Sequence, residues 1–302
     1  MRVLITGAAG FVGRHLTEFL SQKKGVTVFG LTRRDCDIRD QKKLSKILKK
    51  IKPDRLFHLA ALASVRRSWD EPARTFRDNV DGTRSVMEAV KRACPKARVL
   101  VTSSAEVYGS GARARFKESS MLRPMNPYAV SKVLQELVAY RYFLEDGLRV
   151  VRTRAFNHIG PGQSDAYISA SFAKQTAWIE SGQQKAVIRT GNLEAVRDFT
   201  DVRDVVRAYW LCLEKGRAGE VYNVSSGRGR KVAEILRYYL GQSVVTIRAE
   251  KDPRRLRAAD PAAIVGDPSK LRRITGWKPE FSFEDSLSDI LDEQRKRTGN
   301  GS

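Results

Sequence analysis

The amino-acid sequence predicts an α/β fold that contains a doubly wound parallel sheet. Three observations support this prediction. Residues 3–6 have buried-strand character and lead into a glycine-rich turn and an apolar-periodic helix. Strand-length apolar segments then alternate with helical periodicities as far as residue 155. With 302 residues the chain can bury a sizeable core, as one large α/β domain or as two closely joined domains.

The elements after the first helix follow in order along the chain. Residues 26–31 predict a second strand, and residues 41–51 predict a solvated helix, because their apolar positions recur at helical spacing and five lysines occupy the other faces. A proline-containing break then separates this helix from a third strand at 55–59. A long helix from about residue 72 to 92 and a strand at 99–102 complete this part.

The chain is strongly basic, with 56 Lys and Arg against 34 Asp and Glu, and its net charge is +22. Such a balance fits nucleic acid, an acidic membrane surface or an anionic small molecule. The basic residues are spread over the whole length, which favours a solvated basic surface. We therefore expect no nucleic-acid partner and no membrane partner. Without a leader segment or an apolar run of roughly 18 residues, we expect a cytoplasmic protein.

Cysteine and histidine usage predicts neither a disulfide framework nor a metal site. The three cysteines and three histidines lie far apart and show no ligand spacing. They are Cys36, Cys94, Cys212, His15, His58 and His158. We interpret His58 as a core residue.

The first turn has the spacing GxxGxxG between a strand and a helix, which predicts a dinucleotide-binding unit. Gly7 would allow the sharp turn, and Gly10 would let a pyrophosphate approach the helix N-terminus. Gly13 would let the helix pack closely on the sheet. The alternative is a purely structural glycine turn.

The end of the second strand carries Arg33 and Arg34, where an NAD-preferring protein usually has an acidic residue for the ribose hydroxyl. A guanidinium suits a 2′-phosphate through charge-assisted hydrogen bonds, so NADP(H) is the predicted cofactor. The alternative is a pair of arginines on an exposed loop without a ligand.

Polar residues at the carboxyl end of the strand at 99–102 are candidates for the ligand crevice, and they include Ser104 and Glu106. About twenty residues later, Asn126 can cap a helix, with Pro127 at its first position. Tyr128 and Lys132 then lie four residues apart on one helical face.

This pair predicts proton transfer to a carbonyl or alcohol oxygen. A phenol has a pKa near ~10, and a fixed ammonium beside it is expected to lower that pKa. Tyr128 would exchange a proton with the substrate oxygen, while Ser104 donates a hydrogen bond to the same oxygen.

With these motifs together, the chain resembles the extended short-chain dehydrogenase/reductase family over nearly its full length. The resemblance implies a Rossmann-type doubly wound domain at 1–160, with a returning segment around 196–224, and a smaller α/β substrate domain at 161–302. It also implies a homodimer built on a helical bundle and catalysis by Ser104, Tyr128 and Lys132. Cofactor contacts implied by the resemblance include Tyr128 and Lys132, together with Gly7, Gly10, Phe11, Val12, Gly13, Arg33, Arg34, Asp37 (adenine), Ile38, Leu59, Ala60, Ala61, Asn79 and His158.

Two segments of the second half, residues 156–163 and 191–204, are similar to the GDP-sugar branch of this family. From the residues alone, Asn192 offers an amide and Arg197 a phosphate fork, both on a loop before an amphipathic helix. The resemblance implies that a GDP-sugar is held by Ser103, Ser104, Asn157, Asn192, Arg197, Arg257 and Asp260. Ala258 stands where the branch commonly has proline, which leaves the shape of that loop open.

The branch contains both 4,6-dehydratases and C4-ketone reductases, and one site separates them. A dehydratase needs two further polar groups after the serine, and this chain has Ala105 and Glu106 there. The resemblance therefore implies NADPH-dependent reduction of GDP-4-keto-6-deoxy-D-mannose to GDP-D-rhamnose. Glu106, as a possible base, leaves the dehydratase open. The same motifs would also fit another sugar-nucleotide reductase or epimerase, or a non-catalytic protein that binds NADP or nucleic acid.

Overall fold

The computed structural model describes residues 1–110, 115–255 and 261–299. Within these ranges the strands are β1 (Arg2–Thr6), β2 (Thr27–Leu31), β3 (Arg55–His58), β4 (Arg98–Ser104), β5 (Arg115–Phe116), β6 (Arg149–Ala155), β7 (Asn157–Ile159), β8 (Val187–Thr190), β9 (Val196–Asp201), β10 (Val221–Val224), β11 (Gly229–Lys231), β12 (Arg248–Lys251) and β13 (Ala263–Gly266). The helices are α1 (Phe11–Ser21), α2 (Gln41–Ile51), α3 (Val65–Asp70), α4 (Pro72–Phe76), α5 (Gly82–Ala93), α6 (Pro127–Asp146), α7 (Ile168–Glu180), α8 (Val202–Lys215), α9 (Val232–Gln242), α10 (Ser269–Thr275) and α11 (Phe283–Gly299).

Six parallel strands form the main sheet in the order β10-β6-β4-β3-β1-β2. The chain reverses direction across the sheet between β1 and β3, so the switch point lies at the carboxyl ends of these strands. Helices α1 and α8 cover one face around Leu16, Leu20 and Tyr209, and helices α2, α5 and α6 cover the other face. The predicted doubly wound α/β fold is confirmed.

A smaller sheet is formed mainly by strands that follow β6 in the chain. Its strands follow the order β11-β9-β13-β5, with β7 paired to β9, and β8 pairs separately with β12. Helices α7, α9 and α11 form a second apolar core around Phe172, Ile235 and Ile290. After β9 the chain returns through α8, and β10 then joins the main sheet beside β6. Among the helices within the described ranges, none combines the length and apolar character that a membrane span requires.

The long helix predicted at 72–92 is divided by a π-helical turn at Arg77–Asp81, between α4 and α5. A π turn adds one residue to the helical repeat, and such turns occur often at functional sites. Apolar periodicity does not detect it, because the pattern on each side still has helical spacing. The turn directs Asn79 into the protein interior, where its side chain is fully buried.

The glycine turn approaches two other backbone segments too closely for side chains. Gly7 has φ +76°, and a Cβ there would lie 2.8 Å from the amide nitrogen of Ala60 after β3. A Cβ on Gly13 would collide with the carbonyl oxygen of Gly7 and lie 2.8 Å from the Cα of Ala8. The amides of Gly7 and Ala8 donate to the Leu31 carbonyl at the end of β2 (3.0 and 3.2 Å). The turn is therefore held between β2 and the exit of β3.

We predict that Gly13→Ala destabilises the protein by about 1–3 kcal/mol, because the added methyl group overpacks the turn. The matched control is Gly241→Ala in α9, where an added Cβ would meet no atom within 4 Å. This control should be neutral or stabilising by up to about 1 kcal/mol, because alanine has the higher helix propensity. Urea unfolding midpoints measure both variants, and an equal response of the two would contradict the packing argument.

Candidate active site

The predicted catalytic residues converge at the carboxyl ends of the main-sheet strands. Ser104 is the last residue of β4 and pairs in register with Ala155 at the end of β6. Asn126 caps α6, since its Oδ1 accepts a hydrogen bond from the amide of Ala129 at 2.8 Å. Pro127 is the first residue of α6, so Tyr128 lies in the first turn and Lys132 follows one turn later. Both side chains are buried against the sheet.

The Lys132 ammonium is held by neutral oxygens. Its Nζ donates to the Thr102 carbonyl at 2.9 Å and to Gln135 Oε1 at 2.7 Å, and it lies 5.8 Å from the Tyr128 ring centroid. Burial lowers the pKa of Lys132 to about 7, and the nearby Glu136 carboxylate opposes that shift. The ammonium therefore loses its proton much more readily than a surface lysine does.

Burial also controls Tyr128, and here the sequence-based expectation was wrong. The pKa of Tyr128 is raised above its usual range by burial and by the negative fields of Tyr167 and Glu106, while its hydrogen bond with Ser104 lowers it. Desolvation disfavours the phenolate more strongly than the neighbouring polar groups favour it. Tyr128 therefore keeps its proton at neutral pH, which suits a proton donor.

The turn after β4 presents further polar groups. Ser104 Oγ accepts from the Glu106 amide at 3.2 Å and caps a 3₁₀ turn over Ala105–Tyr108. Glu106 is half-buried, and its Oε2 accepts from Asn126 Nδ2 at 3.1 Å. Ala105 is buried, and the buried Ser103 hydroxyl has no partner among the described residues. Of the two positions at which a dehydratase places polar groups, only Glu106 carries one here.

The buried Asn79 side chain links the segment after β3 to the catalytic helix. Its Nδ2 donates to Ser131 Oγ at 2.8 Å and to the Leu62 carbonyl at 3.2 Å, and its Oδ1 accepts from the Leu62 amide at 2.7 Å. Ser131 Oγ in turn donates to the Tyr128 carbonyl. These bonds fix the segment after β3 at Leu62 against the catalytic helix. The contact of Asn79 with the cofactor stays a prediction.

His58 is a core residue, as predicted. Its Nε2 donates to Thr83 Oγ1 at 2.9 Å, because the Thr83 hydroxyl itself donates to the Asn79 carbonyl. Its Nδ1 then accepts from Thr6 Oγ1 at 2.8 Å. Burial and the nearby Lys132 charge lower the pKa of His58 to about 3, so the imidazole is neutral. This chain of hydrogen bonds joins the ends of β1 and β3 to the π-helical turn.

The end of β2 presents a cationic loop. Arg33 and Arg34 are exposed, and Arg33 Nη2 lies 3.7 Å from Asp37 Oδ2. Both oxygens of Asp37 accept hydrogen bonds from Arg39, at 2.9 and 2.6 Å, which lowers the pKa of Asp37 to about 2. Arg39 belongs to no motif in the sequence, yet its guanidinium orients Asp37, the expected adenine contact. Ile38 packs closely against the start of α5.

Helix α1 also contacts the loop that leads into the smaller domain. Phe11 stacks on His158 with ring centroids 6.1 Å apart, and His15 Nε2 donates to the Pro161 carbonyl at 2.8 Å. His158 Nδ1 donates to the Phe156 carbonyl, and burial lowers the pKa of His158, which keeps it neutral. These contacts couple the glycine turn to residues 156–163. Val12, by contrast, packs against the main core.

The predicted substrate residues fall into three groups. Asn157 and Asn192 are exposed, and Asn192 Oδ1 accepts from the Glu194 amide at 3.1 Å. Arg197 was expected on a loop, but it lies in β9 and is buried, with Nη1 donating to the carbonyls of Val196 and Pro261 at 2.8 Å. Arg197 therefore holds the backbone at Pro261 beside β9. Two further predicted residues, Arg257 and Asp260, lie outside the described residues.

An open cleft of about 520 Å³ lies between α7, β8 and the 3₁₀ turn Pro253–Arg255. Its lining includes four cationic side chains, one carboxylate and the half-exposed Trp178 ring. The charged and aromatic lining residues are Asp165, Lys174, Trp178, Lys185, Arg189 and Arg255. Cationic groups beside an aromatic face suit a nucleoside diphosphate. Sequence reasoning did not find these residues, because no motif marks them.

Sequence reasoning also missed two residues near the catalytic helix, Tyr167 and Glu136. Tyr167 is exposed, immediately precedes α7 and acts electrostatically on Tyr128. Glu136 lies four residues after Lys132, so the helical spacing that paired Tyr128 with Lys132 places Glu136 on the same face. Continuing that four-residue spacing by one more turn would have found it.

The glycine turn fits a dinucleotide. Gly10 is the N-cap of α1 and makes no side-chain cap bond, so the amides of the first turn stay directed at an incoming anion. The missing Cβ atoms at Gly7 and Gly13 allow the turn and the sheet to lie in close contact. Among the described residues, no cluster of three or more His, Cys, Asp or Glu side chains is arranged to hold a metal ion.

The chain is similar over nearly its full length to known sugar-nucleotide enzymes. The sequence model of the family described as GDP-mannose 4,6 dehydratase matches residues 32–290. GDP-6-deoxy-D-mannose reductase of Pseudomonas aeruginosa is 36% identical over 98% of both chains. GDP-6-deoxy-D-talose 4-dehydrogenase of Aggregatibacter actinomycetemcomitans is 30% identical, over 98% of this chain and 97% of that protein.

Solved structures of sugar-nucleotide enzymes have the same fold as this chain. The structure of RMD from Pseudomonas aeruginosa complexed with NADPH superposes with a TM-score of 0.92 at 35% identity, covering 98% of this chain and 99% of that chain. The UDP-glucose 4-epimerase of Thermus thermophilus complexed with NAD has a TM-score of 0.88 at 28% identity, with the same coverage. The chain belongs to the GDP-mannose 4,6-dehydratase family of extended short-chain dehydrogenases/reductases.

Proposed function

We propose that this protein uses NADPH to reduce the C4 ketone of GDP-4-keto-6-deoxy-D-mannose to GDP-D-rhamnose. One observation carries the proposal: a buried, protonated Tyr128 is hydrogen-bonded to Ser104 at the carboxyl end of β4, with Lys132 one turn away. The chain is similar over 98% of its length to a GDP-6-deoxy-D-mannose reductase. The structural relative RMD of Pseudomonas aeruginosa is complexed with NADPH.

Each catalytic residue has a role that follows from its environment. Bound NADPH supplies a hydride to the C4 carbon of the ketone. Ser104 donates a hydrogen bond to the C4 oxygen, and Tyr128 protonates that oxygen as negative charge develops on it. Lys132, positioned by Thr102 and Gln135, carries the positive charge that stabilises Tyr128 when it gives up its proton. The neutral phenol in the free protein is thus the form that a reductase needs.

Cofactor binding is assigned to the main-sheet edge. The first turn of α1 would hold the pyrophosphate at residues 10–13. Arg33 and Arg34 would bind the 2′-phosphate, and Asp37, oriented by Arg39, would contact the adenine. The backbone of residues 59–61, fixed by Asn79, would line the opposite side.

Substrate binding is assigned to the side of the smaller sheet. The cleft beside α7 has four cationic side chains that could bind the diphosphate, and Trp178 has an aromatic ring for the base. Three of these cations form ion pairs with carboxylates in the structure, and the Lys174 ammonium lies 4.2 Å from the Trp178 ring centroid, so the diphosphate would replace carboxylate partners. Tyr167 precedes α7 and interacts with Tyr128, so α7 runs from the catalytic centre toward this cleft. We accordingly propose residues 1–160 with 196–224 as the NADP-binding domain and 161–302 as the GDP-sugar domain, since α8 and β10 return to the main sheet.

A dehydratase is the second candidate, because Glu106 is held beside Tyr128 by Asn126. Such an enzyme would reduce and reoxidise its cofactor in one turnover, without net consumption of NADPH.

The decisive experiment follows NADPH absorbance with GDP-4-keto-6-deoxy-D-mannose and, in parallel, with GDP-mannose, and identifies the products by NMR. We expect NADPH loss with the keto sugar only, and the rhamno configuration at C4. Conversion of GDP-mannose without net NADPH loss would establish the dehydratase instead. The 6-deoxy-D-talose configuration would correct the proposed product, and no reaction with either sugar would refute the proposal.

Tyr128→Phe is the control for this assay. Removing the phenolic proton should lower kcat by about 10²–10⁴-fold, the typical contribution of a positioned general acid. NADPH affinity, measured by fluorescence quenching, should change little. Full activity in this variant would exclude Tyr128 as the proton donor.

Replacing Arg33 and Arg34 together with alanine should weaken NADPH binding by about 10–100-fold, because charge-assisted hydrogen bonds to the 2′-phosphate are lost. NADH, which lacks that phosphate, should bind as before. Lys49→Ala with Lys50→Ala is the matched control, since both lysines are exposed at the end of α2 and their removal lowers the net charge equally. Calorimetric Kd values measure both cofactors, and equal losses for NADPH and NADH would contradict the assignment.

We also propose a homodimer built on α6. This helix exposes Leu134, Leu137 and Leu144, with 38%, 55% and 62% of their surface accessible, on one side of the helix. We predict that Leu137→Glu converts the dimer to a monomer in sedimentation velocity. Val244→Glu is the control, because Val244 is 82% exposed and lies in the segment after α9. A wild-type protein that sediments as a monomer would disprove the dimer.

A further inference from the structure

A buried ion pair lies one helical turn beyond Lys132, and the reaction as described above does not use it. The Glu136 carboxylate on α6 accepts from Arg154 Nε at 2.9 Å and from Arg154 Nη2 at 2.8 Å. The two residues are only 2% and 5% exposed. Desolvating two charges is costly, so a pair buried this deeply needs a reason beyond stability.

Arg154 also reaches the turn that carries Ser104. Its Nη1 donates to the Tyr108 hydroxyl and to the Glu118 carbonyl, each at 3.1 Å. Tyr108 is the last residue of the 3₁₀ turn that Ser104 caps, and its hydroxyl donates to Asn223 Oδ1 at 2.6 Å. One guanidinium therefore bridges the catalytic helix and the catalytic serine turn.

Few charges surround Lys132 in the part of the chain that the structure describes. On α6 it faces Tyr128, which is neutral, and Glu136, whose charge raises the pKa of Lys132 against the effect of burial. From β3 it faces the neutral His58. The π-helical turn and α5 contribute the uncharged Asn79 and Thr83 to this region.

The β4 turn adds Glu106, which acts on Tyr128. Two arginines of β6 contact Glu136. Arg154 forms the ion pair with the Glu136 carboxylate, and Arg152 Nη1 lies 4.0 Å from the same carboxylate. Glu136 thus balances three buried or half-buried cations, namely these two arginines and Lys132.

We propose that Glu136 and Arg154 are positioning residues, in which Glu136 keeps Lys132 protonated during turnover and Arg154 holds Glu136 and the Ser104 turn in register. The proposal rests on the proposed reductase function. In this proposal the pair sets the pH above which the reaction slows, because both Tyr128 and Lys132 must carry their protons for reduction.

The sign of the effect follows from the charges. Glu136→Gln keeps the size and one acceptor but removes the negative charge, so the Lys132 ammonium loses its stabilising partner and releases its proton at lower pH. For two charges about one helical turn apart in a protein interior, the expected shift is about one pH unit. The alkaline limb of the kcat profile should move downward by that amount.

The test measures kcat against pH with saturating NADPH and keto sugar for wild type, Glu136→Gln and Arg154→Lys. Arg154→Lys preserves the charge but not the forked geometry, so its alkaline limb should stay in place while kcat falls by about tenfold or more. Glu145→Gln is the matched control, since Glu145 is an exposed residue at the other end of α6, paired with Arg141. It should leave the profile unchanged.

A second readout does not depend on turnover. NMR titration of the Lys132 side chain in protein with labelled lysine should show the same downward shift in Glu136→Gln, and circular dichroism establishes that each variant is folded. An unshifted Lys132 titration in folded Glu136→Gln overturns the proposal. If Glu136→Gln fails to fold, an Arg154→Lys variant with unreduced kcat overturns it. A shifted titration in a protein that does not consume NADPH would refute the reductase function and leave the Glu136 assignment standing.

Discussion

Parallel alignment of the main-sheet strands forces their carboxyl ends to one edge, and the position of every proposed catalytic group depends on that alignment. The glycine turn leaves β1 at this edge, residues 59–61 leave β3, and Ser104 ends β4. Helix α6 then begins against the same edge with Tyr128 in its first turn. Hydrogen bonds through Thr6, His58 and Thr83 join the ends of β1 and β3 to α5, and Asn79 continues this network to Ser131 on the catalytic helix.

Within this unit, desolvation is the dominant electrostatic effect. Burial holds the proton on Tyr128 and brings the pKa of Lys132 down to about 7, so at neutral pH the phenol is protonated while the ammonium is close to losing its proton. The neighbouring groups moderate this effect through Ser104 and Glu136. The ion pair of Glu136 with Arg154 gives the buried ammonium a counter-charge, while the hydrogen bonds of that ammonium go to neutral oxygens.

The smaller domain contributes charged side chains and contacts to the first turn of the main sheet. Its cleft beside α7 gathers cationic side chains and an aromatic ring, and we propose this cleft as the site of the anionic nucleotide. Some of the basic residues behind the net charge of +22 therefore line this cleft, whereas the lysines of α2 lie on the surface of a solvated helix. Contacts of α1 with residues 158–162 connect the proposed cofactor and substrate sides through His158, Pro161 and Gly162.

The sequence by itself determined the elements and the chemistry that depend on local spacing. The glycine turn, the bounds of α2, the cap at Asn126 and the pairing of Tyr128 with Lys132 are all set by residues within one or two turns of each other. Tertiary structure decided what depends on distant segments. Burial reversed the expected pKa shift of Tyr128, strand pairing with β11 and β13 placed Arg197 in β9, and a π-helical turn directed Asn79 to the protein interior. Desolvation and strand pairing arise from residues far apart in the chain, and for that reason no local pattern reports them.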